Sequence, residues 1–300
     1  MGFAACHPAV NAVYFACMLA AALAVGHPVY LGVSLLCALA YGIKLGRKRA
    51  AACWSAGLIL CGMLFGLWYA GYHHFGVTAL RRNFVGNNLT LESLICGQVL
   101  GLRIACGLIW LSNLHQIFTA DKTVYLFGRV SPRLSLFLAI LLRMGPRVAR
   151  QARRLNTAQA GIGRGVHQGG LFRRLRNGLR IASMLITWTI EMLPGVSESM
   201  RSRGAKLRGR TAFSIYRFDN RDRSYVVALF ALMTLFGMGV LLKQTFVRYS
   251  PVIRVAPVTP LSAAFYLGYA ALCALPLGLD LWTEAQFSRA RRRAFGSKTK

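Results

Sequence analysis

A chain of 300 residues that is 55% hydrophobic and only 15% charged, with mean hydropathy +0.46, falls short of the roughly one-quarter charged composition of a soluble domain. Its 37 Lys plus Arg face 8 Asp plus Glu, a formal net charge of +29, which leaves nucleic acid, anionic lipid and acidic protein as partner classes to separate. The eight cysteines lie in or beside apolar stretches without a Cys-x-x-Cys pair, so the sequence holds no disulfide framework and no zinc site.

The N-terminal MGFAACHPAVNAVYFACMLAAALAVG lacks a basic leading segment and runs almost directly into more apolar sequence. It reads as a retained first membrane helix and not as a secretory signal. About 20 mostly apolar residues span a bilayer, and six stretches qualify: 8–25, 29–45, 50–71, 91–115, 224–243 and 262–282. His27-Pro28 breaks the first from the second, and GRKR (46–49) separates the second from the third. With the N-terminus cytoplasmic, 46–49, 116–223 and 283–300 are inside and carry 3, 21 and 6 Lys/Arg, against two in each of the external loops 72–90 and 244–261. The positive-inside rule therefore places both termini in the cytoplasm. The chain divides into N-terminal membrane helices (1–115), a cytoplasmic or interfacial insertion (116–223) and a C-terminal helix pair with a basic tail (224–300).

The insertion opens with SPRLSLFLAILLRMGPRVARQARRLNTAQAG and continues with LRNGLRIASMLITWTIEMLPGVSESMRSRG. Each is apolar at first and polar later, which predicts two long helices rooted at the membrane and reaching into the cytoplasm. A span over 133–149 is disfavoured by Arg133, Arg143 and Arg147, so the expected count is about six, within a range of five to eight. Arg103, deep in the fourth span, is costly there and is expected to face the bundle interior, towards Asp280 or Glu92.

Chemistry-bearing motifs are missing. There is no phosphate-cradling G-x-x-x-x-G-K-[ST], no G-x-S-x-G, no H-E-x-x-H and no carboxylate cluster. GIGRG (161–165) is glycine-rich but follows a predicted helix, not a strand. What remains are two helix ends. Ser202-Arg203-Gly204 closes the second long helix, with the glycine suited to a left-handed stop and Arg203 projecting beside it. Gly163-Arg164-Gly165 follows the first long helix in a similar way. A guanidinium at such a tip suits a partner's carboxylates.

ESMRSRGAKLRGRTAFSIYRFDNRD (198–222) resembles the second coupling-helix signature of the transmembrane T component of energy-coupling factor transporters. Ser199-Met200, Ser202-Arg203-Gly204 and Gly209-Arg210-Thr211 carry the likeness, and Ala205 stands where the family has an aromatic residue. FTADKTVYLFGRVSPRLSLFLAILLRMGPRVARQARRLNTAQ resembles the family's D-K-x-x-Y-L-F segment and the helix that follows it, and YHHFGVTALRRNFVGNNLTLES resembles its external loop, so the resemblance covers most of 70–225. The family commonly has Ala-Arg-Gly soon after Ala-Gln, where this chain has Gly161-Ile162-Gly163-Arg164-Gly165.

The resemblance implies an all-α integral membrane protein whose pair of long coupling helices is inserted before the last two spans. It implies a non-enzymatic scaffold of the bacterial or archaeal plasma membrane, with no catalytic residues, metal or cofactor of its own. Two ABC-type ATPases would dock on Arg203 with Ser202 and Gly204, and on Arg164 with Gly163 and Gly165. A small substrate-binding membrane subunit for a vitamin or metal ion would rest on Leu134, Leu136, Leu138, Leu141, Ile181, Leu185 and Trp188. Nucleic acid is not an expected partner, because topology puts the basic segment at the inner leaflet. Two other classes stay open: a membrane enzyme handling lipid or phosphate, and a membrane-anchored receptor for anionic lipid or nucleic acid.

Overall fold

A computed structural model describes residues 2–46, 48–73, 75–82, 88–204, 207, 216 and 218–296. Ala205 and Gly209-Arg210-Thr211 of the signature lie outside them. The described residues form an all-α protein: α1 (Pro8–Ala24), α2 (Pro28–Leu45), α3 (Lys48–Tyr72), α4 (Leu91–Ile117), α5 (Ala120–Val130), α6 (Pro132–Gly161), α7 (Leu171–Ser202), α8 (Asn220–Leu241) and α9 (Pro260–Gly296). Two short antiparallel ladders, β1 (Ala79–Arg82) with β2 (Asn88–Thr90) and β3 (Val247–Arg248) with β4 (Arg254–Val255), occupy stretches expected only as loops. The chain divides into two compact units, Met1–Thr119 with Tyr216–Lys300, and Ala120–Ile215.

Among the described residues six helices are long and apolar enough to cross a membrane, but the set differs by one from the expected set. It comprises α2, α3, α4, α7, α8 and α9. At 17 residues α1 is the shorter apolar helix; it extends roughly 25 Å against a hydrocarbon core of about 30 Å. Helix α7 joins the set because residues 177–197 carry only two charges, Arg180 and Glu191, in an otherwise mostly apolar run.

The first two helices begin alike. His7 precedes Pro8 and His27 precedes Pro28, and each imidazole Nδ1 accepts the amide hydrogen two residues on at 3.3 Å. Proline at the first helical position sacrifices no hydrogen bond, and the histidine satisfies an amide that the helix leaves free.

Helix α4 is the centre of the larger unit, packed by α1, α2 and α3. On its α2 side, buried Trp110 donates its indole N–H to Ser34 Oγ at 3.0 Å, and Asn113 Nδ2 donates to the Ala38 carbonyl at 2.9 Å. On its α3 side the centre of the contact is made by glycines. Gly62 and Gly66 of α3 face Gly101 and Gly97 of α4, two G-x-x-x-G spacings in register; a Cβ at Gly62 or Gly66 would sit 2.5 Å from the opposite carbonyl oxygen. Small residues let helix backbones approach closely in lipid, where burial alone gives little drive for association.

Polar anchors fasten the N-terminal segment. Phe3 is fully buried, its ring 5.4 Å from those of Tyr14 and Tyr225, and its amide donates to Asp280 Oδ1 of α9 at 2.5 Å. Asp219 and Asp222 form a capping box at the start of α8, and Asp222 also accepts the His7 amide at 3.3 Å. Lys44 pairs with Glu284 at 3.1 Å. Arg103 meets neither Asp280 nor Glu92, contrary to expectation. Its guanidinium donates to the Leu23 carbonyl in the last turn of α1, where helix carbonyls lack internal donors. Glu92 instead accepts the Thr78 hydroxyl at 2.7 Å.

Replacing Gly62 or Gly66 with Leu should lower stability in detergent by about 1–3 kcal/mol through overpacking. Gly57→Ala, whose Cβ meets nothing within 4 Å, should change it by less than about 0.5 kcal/mol. Thermal unfolding followed by tryptophan fluorescence reads both.

Candidate functional site

The described residues of the smaller unit form three helices. Helix α5 lies against the start of α6, where Ser135 Oγ donates to the Val124 carbonyl at 3.1 Å and a Cβ on Gly128 would sit 3.1 Å from that hydroxyl. Helices α6 and α7 form an antiparallel hairpin, with Gln159 Nε2 3.8 Å from Met184 Sδ partway along. Ile181 is buried and Leu185 and Trp188 are half-buried, so this row of α7 does not present an open apolar face. The exposed stripe is Leu175, Leu179, Ile186, Ile190 and Leu193. On α6, Leu134, Phe137 and Leu141 are exposed, while Leu136 and Leu138 are half-buried. Composition locates an apolar shaft, but the partner helix decides which face it uses.

At the hairpin turn, α6 ends in a Schellman motif. The Gly163 amide donates to the Ala160 carbonyl at 3.1 Å and the Arg164 amide to the Gln159 carbonyl at 2.9 Å, with Gly163 at φ +73°. Three side chains then stitch the turn down. Asn156 Oδ1 accepts the Val166 amide at 3.0 Å, Gln168 Oε1 accepts the Gly165 amide at 2.9 Å, and buried Asn177 Nδ2 donates to the Gly165 carbonyl at 3.0 Å. Gly165 is thereby buried against Ala160, and Arg164 stays exposed on a fixed backbone.

The other end is made differently. Arg203 itself is the C-cap of α7, and Gly204 beyond it takes φ +75° with its amide on the Arg201 carbonyl at 3.0 Å. Ser202 Oγ donates back to the Ser199 carbonyl at 2.9 Å, which tightens the last turn. The two arginines are therefore not equivalent: Arg203 precedes its left-handed glycine, and Arg164 follows one. The hairpin also sets them at opposite ends, roughly 40 Å apart along α7 from Asn177, which holds the turn, at 1.5 Å per residue.

Arg203 does not stand at an isolated tip. It lines an open groove of about 450 Å³ between α6 and α7, with Ile140, Arg143, Met144 and Arg147 on one wall and Glu191, Met192, Gly195, Val196, Ser199 and Met200 on the other. Each wall sits at a proline inside its helix, Pro146 or Pro194. A helical proline clashes with the preceding turn and frees a carbonyl. In the sequence, Arg143 and Arg147 argue only against a span. Their convergence with Arg203 depends on antiparallel pairing over more than 50 residues, which no local pattern reports. Among the described residues there is no group of three or more His, Cys, Asp or Glu that could hold a metal ion.

No protein-family model matches the chain, and no curated protein matches it either.

Asn177→Ala orphans the buried Gly165 carbonyl and should ease local opening of the turn by about 1–3 kcal/mol. Trypsin cleavage after Arg164 should then accelerate roughly tenfold. Gly163→Val, forced into a left-handed backbone, should do the same, and limited proteolysis of the detergent-solubilised chain measures both.

Proposed function

We propose that the chain is the membrane scaffold of an energy-coupling factor-type ABC importer, transmitting ATP hydrolysis in partner subunits to a substrate-binding membrane protein. The observation that carries this reading is the α6–α7 hairpin, which holds an arginine at each of two opposite helix ends. Two contacts separated by roughly 40 Å, more than the ~30 Å width of a small domain, suit two partner subunits better than one. The likeness of 198–222 to the family's coupling signature supports the same assignment.

In this mechanism the chain binds no nucleotide and performs no covalent chemistry. Each ATPase presents carboxylates to one arginine, Arg203 on one side and Arg164 on the other, and the planar guanidinium forms paired charge-assisted hydrogen bonds. Gly204 and Gly163 fix where the backbone stops, so the arginine is placed by the chain and not selected from a loop ensemble. When ATP closes the ATPases towards each other, the two ends of the hairpin are displaced together and the movement passes along α6 and α7. The exposed rows Leu134, Phe137 and Leu141, and Leu179, Ile186 and Ile190, are the apolar surfaces offered to the substrate-binding subunit. Ile181, Leu185 and Trp188 serve by holding the hairpin. The chain would reside in a bacterial or archaeal plasma membrane with both termini cytoplasmic, and its cargo would be a vitamin or metal ion chosen by the partner.

Coexpression with ATPases encoded by adjacent genes tests this. Arg203→Glu and Arg164→Glu should each weaken ATPase retention by roughly 100-fold, as expected for reversing one member of a desolvated charge pair. Retention of both ATPases and normal uptake in the double variant would remove the reading.

A further inference from the structure

The groove between α6 and α7 has a chemistry that ATPase docking through Arg203 alone does not use. Arg143 and Arg147 lie one turn apart on α6 and line the same groove as Arg203, the C-cap of α7, with Glu191 the carboxylate among the lining residues. None of these guanidinium groups forms an ion pair among the described residues. Below them the lining is apolar and adaptable, with three methionines, and flanking Leu141 and Leu193 are 54% and 47% exposed. Methionine accommodates irregular apolar partners, while arginine forks match the paired oxygens of a phosphate. A pair of α6 arginines beside a methionine-rich lining suits an amphiphile with an oxyanion head. Helix α7 is itself apolar enough to enter a bilayer, so lipid is the amphiphile at hand.

We propose that this groove binds the phosphodiester headgroup of an anionic phospholipid, with Arg143 and Arg147 on the phosphate and the methionines against the acyl-glycerol portion. Glu191 stands opposite as an acceptor for headgroup hydroxyls, which favours a phosphatidylglycerol-type head over bare phosphate. Binding here differs from diffuse attraction of a basic segment to the inner leaflet, because it depends on two named arginines and not on the total charge. It requires no partner protein, so it can fail while ATPase docking stands, and the reverse.

The test uses the full-length chain in mild detergent, with phosphatidylglycerol vesicles, phosphatidylcholine vesicles and inorganic phosphate as separate probes. Bound lipid is read by native mass spectrometry and the melting temperature by fluorescence. The wild type should prefer phosphatidylglycerol, and R143Q/R147Q should reduce that preference roughly 30-fold. R173Q/R176Q, which removes two exposed arginines outside the groove, should leave it intact. R143K/R147K should keep an intermediate preference, since it retains the charge and loses the planar fork. A melting transition of R143Q/R147Q in phosphatidylcholine equal to that of wild type establishes that the variant folds. The proposal is overturned if R143Q/R147Q keeps the full preference, if R173Q/R176Q loses as much, or if inorganic phosphate stabilises the chain as well as the lipid does. Displacement of the lipid by an acidic peptide at equal concentration would likewise assign the groove to a protein partner.

Discussion

The backbone contact between α3 and α4 is the constraint on which the larger unit rests. In lipid, apolar side chains gain little by leaving the solvent for each other, so association must come from close packing and satisfied polar groups. Gly62 and Gly66 against Gly101 and Gly97 supply the first, bringing carbonyls where a Cβ would otherwise stand. Ser34, Trp110 and Asn113 supply the second on the opposite side of α4. With α4 held on both sides, α1 packs on it, and α2 carries the contact on to α9. The Phe3–Asp280 hydrogen bond then ties the N-terminal segment to α9.

The smaller unit follows a different logic. Its helices are largely exposed, and what is defined most sharply is where they stop. Gly163 and Gly204 occupy left-handed backbone where any other residue would be strained, and the bonds around them leave the adjoining arginines exposed on ordered backbone. The turn is fixed further by Asn156, Gln168 and Asn177, none of which carries charge. Basic side chains give this unit its chemistry, but uncharged amides and glycines position them.

Much of this was legible in the sequence, for physical reasons that also explain what was not. A run of apolar residues bounded by proline or charge reports a helix directly, so the spans and the two long insertion helices were readable. The marginal cases lie where length and charge nearly balance: α1 is a little short, and α7 carries just two charges, Arg180 and Glu191, across its apolar run. In sequence the rows Ile181, Leu185, Trp188 and Leu179, Ile186, Ile190 of α7 are equally apolar, and only packing within the hairpin makes the second the more exposed. Arg103 was assigned a carboxylate partner because charge seeks charge. The available acceptor was a helix-end carbonyl, which one-letter code does not display. The groove lay beyond sequence reasoning altogether, since its walls are more than 40 residues apart along the chain.

Cysteines placed singly at positions 164 and 203 of an otherwise cysteine-free chain, cross-linked to the adjacent-gene ATPases and resolved by native mass spectrometry, probe the two-ended hairpin most directly. Two ATPase subunits per chain, with one captured from each position, is the predicted result. Capture of the same single subunit from both positions, or of none from either, would contradict it.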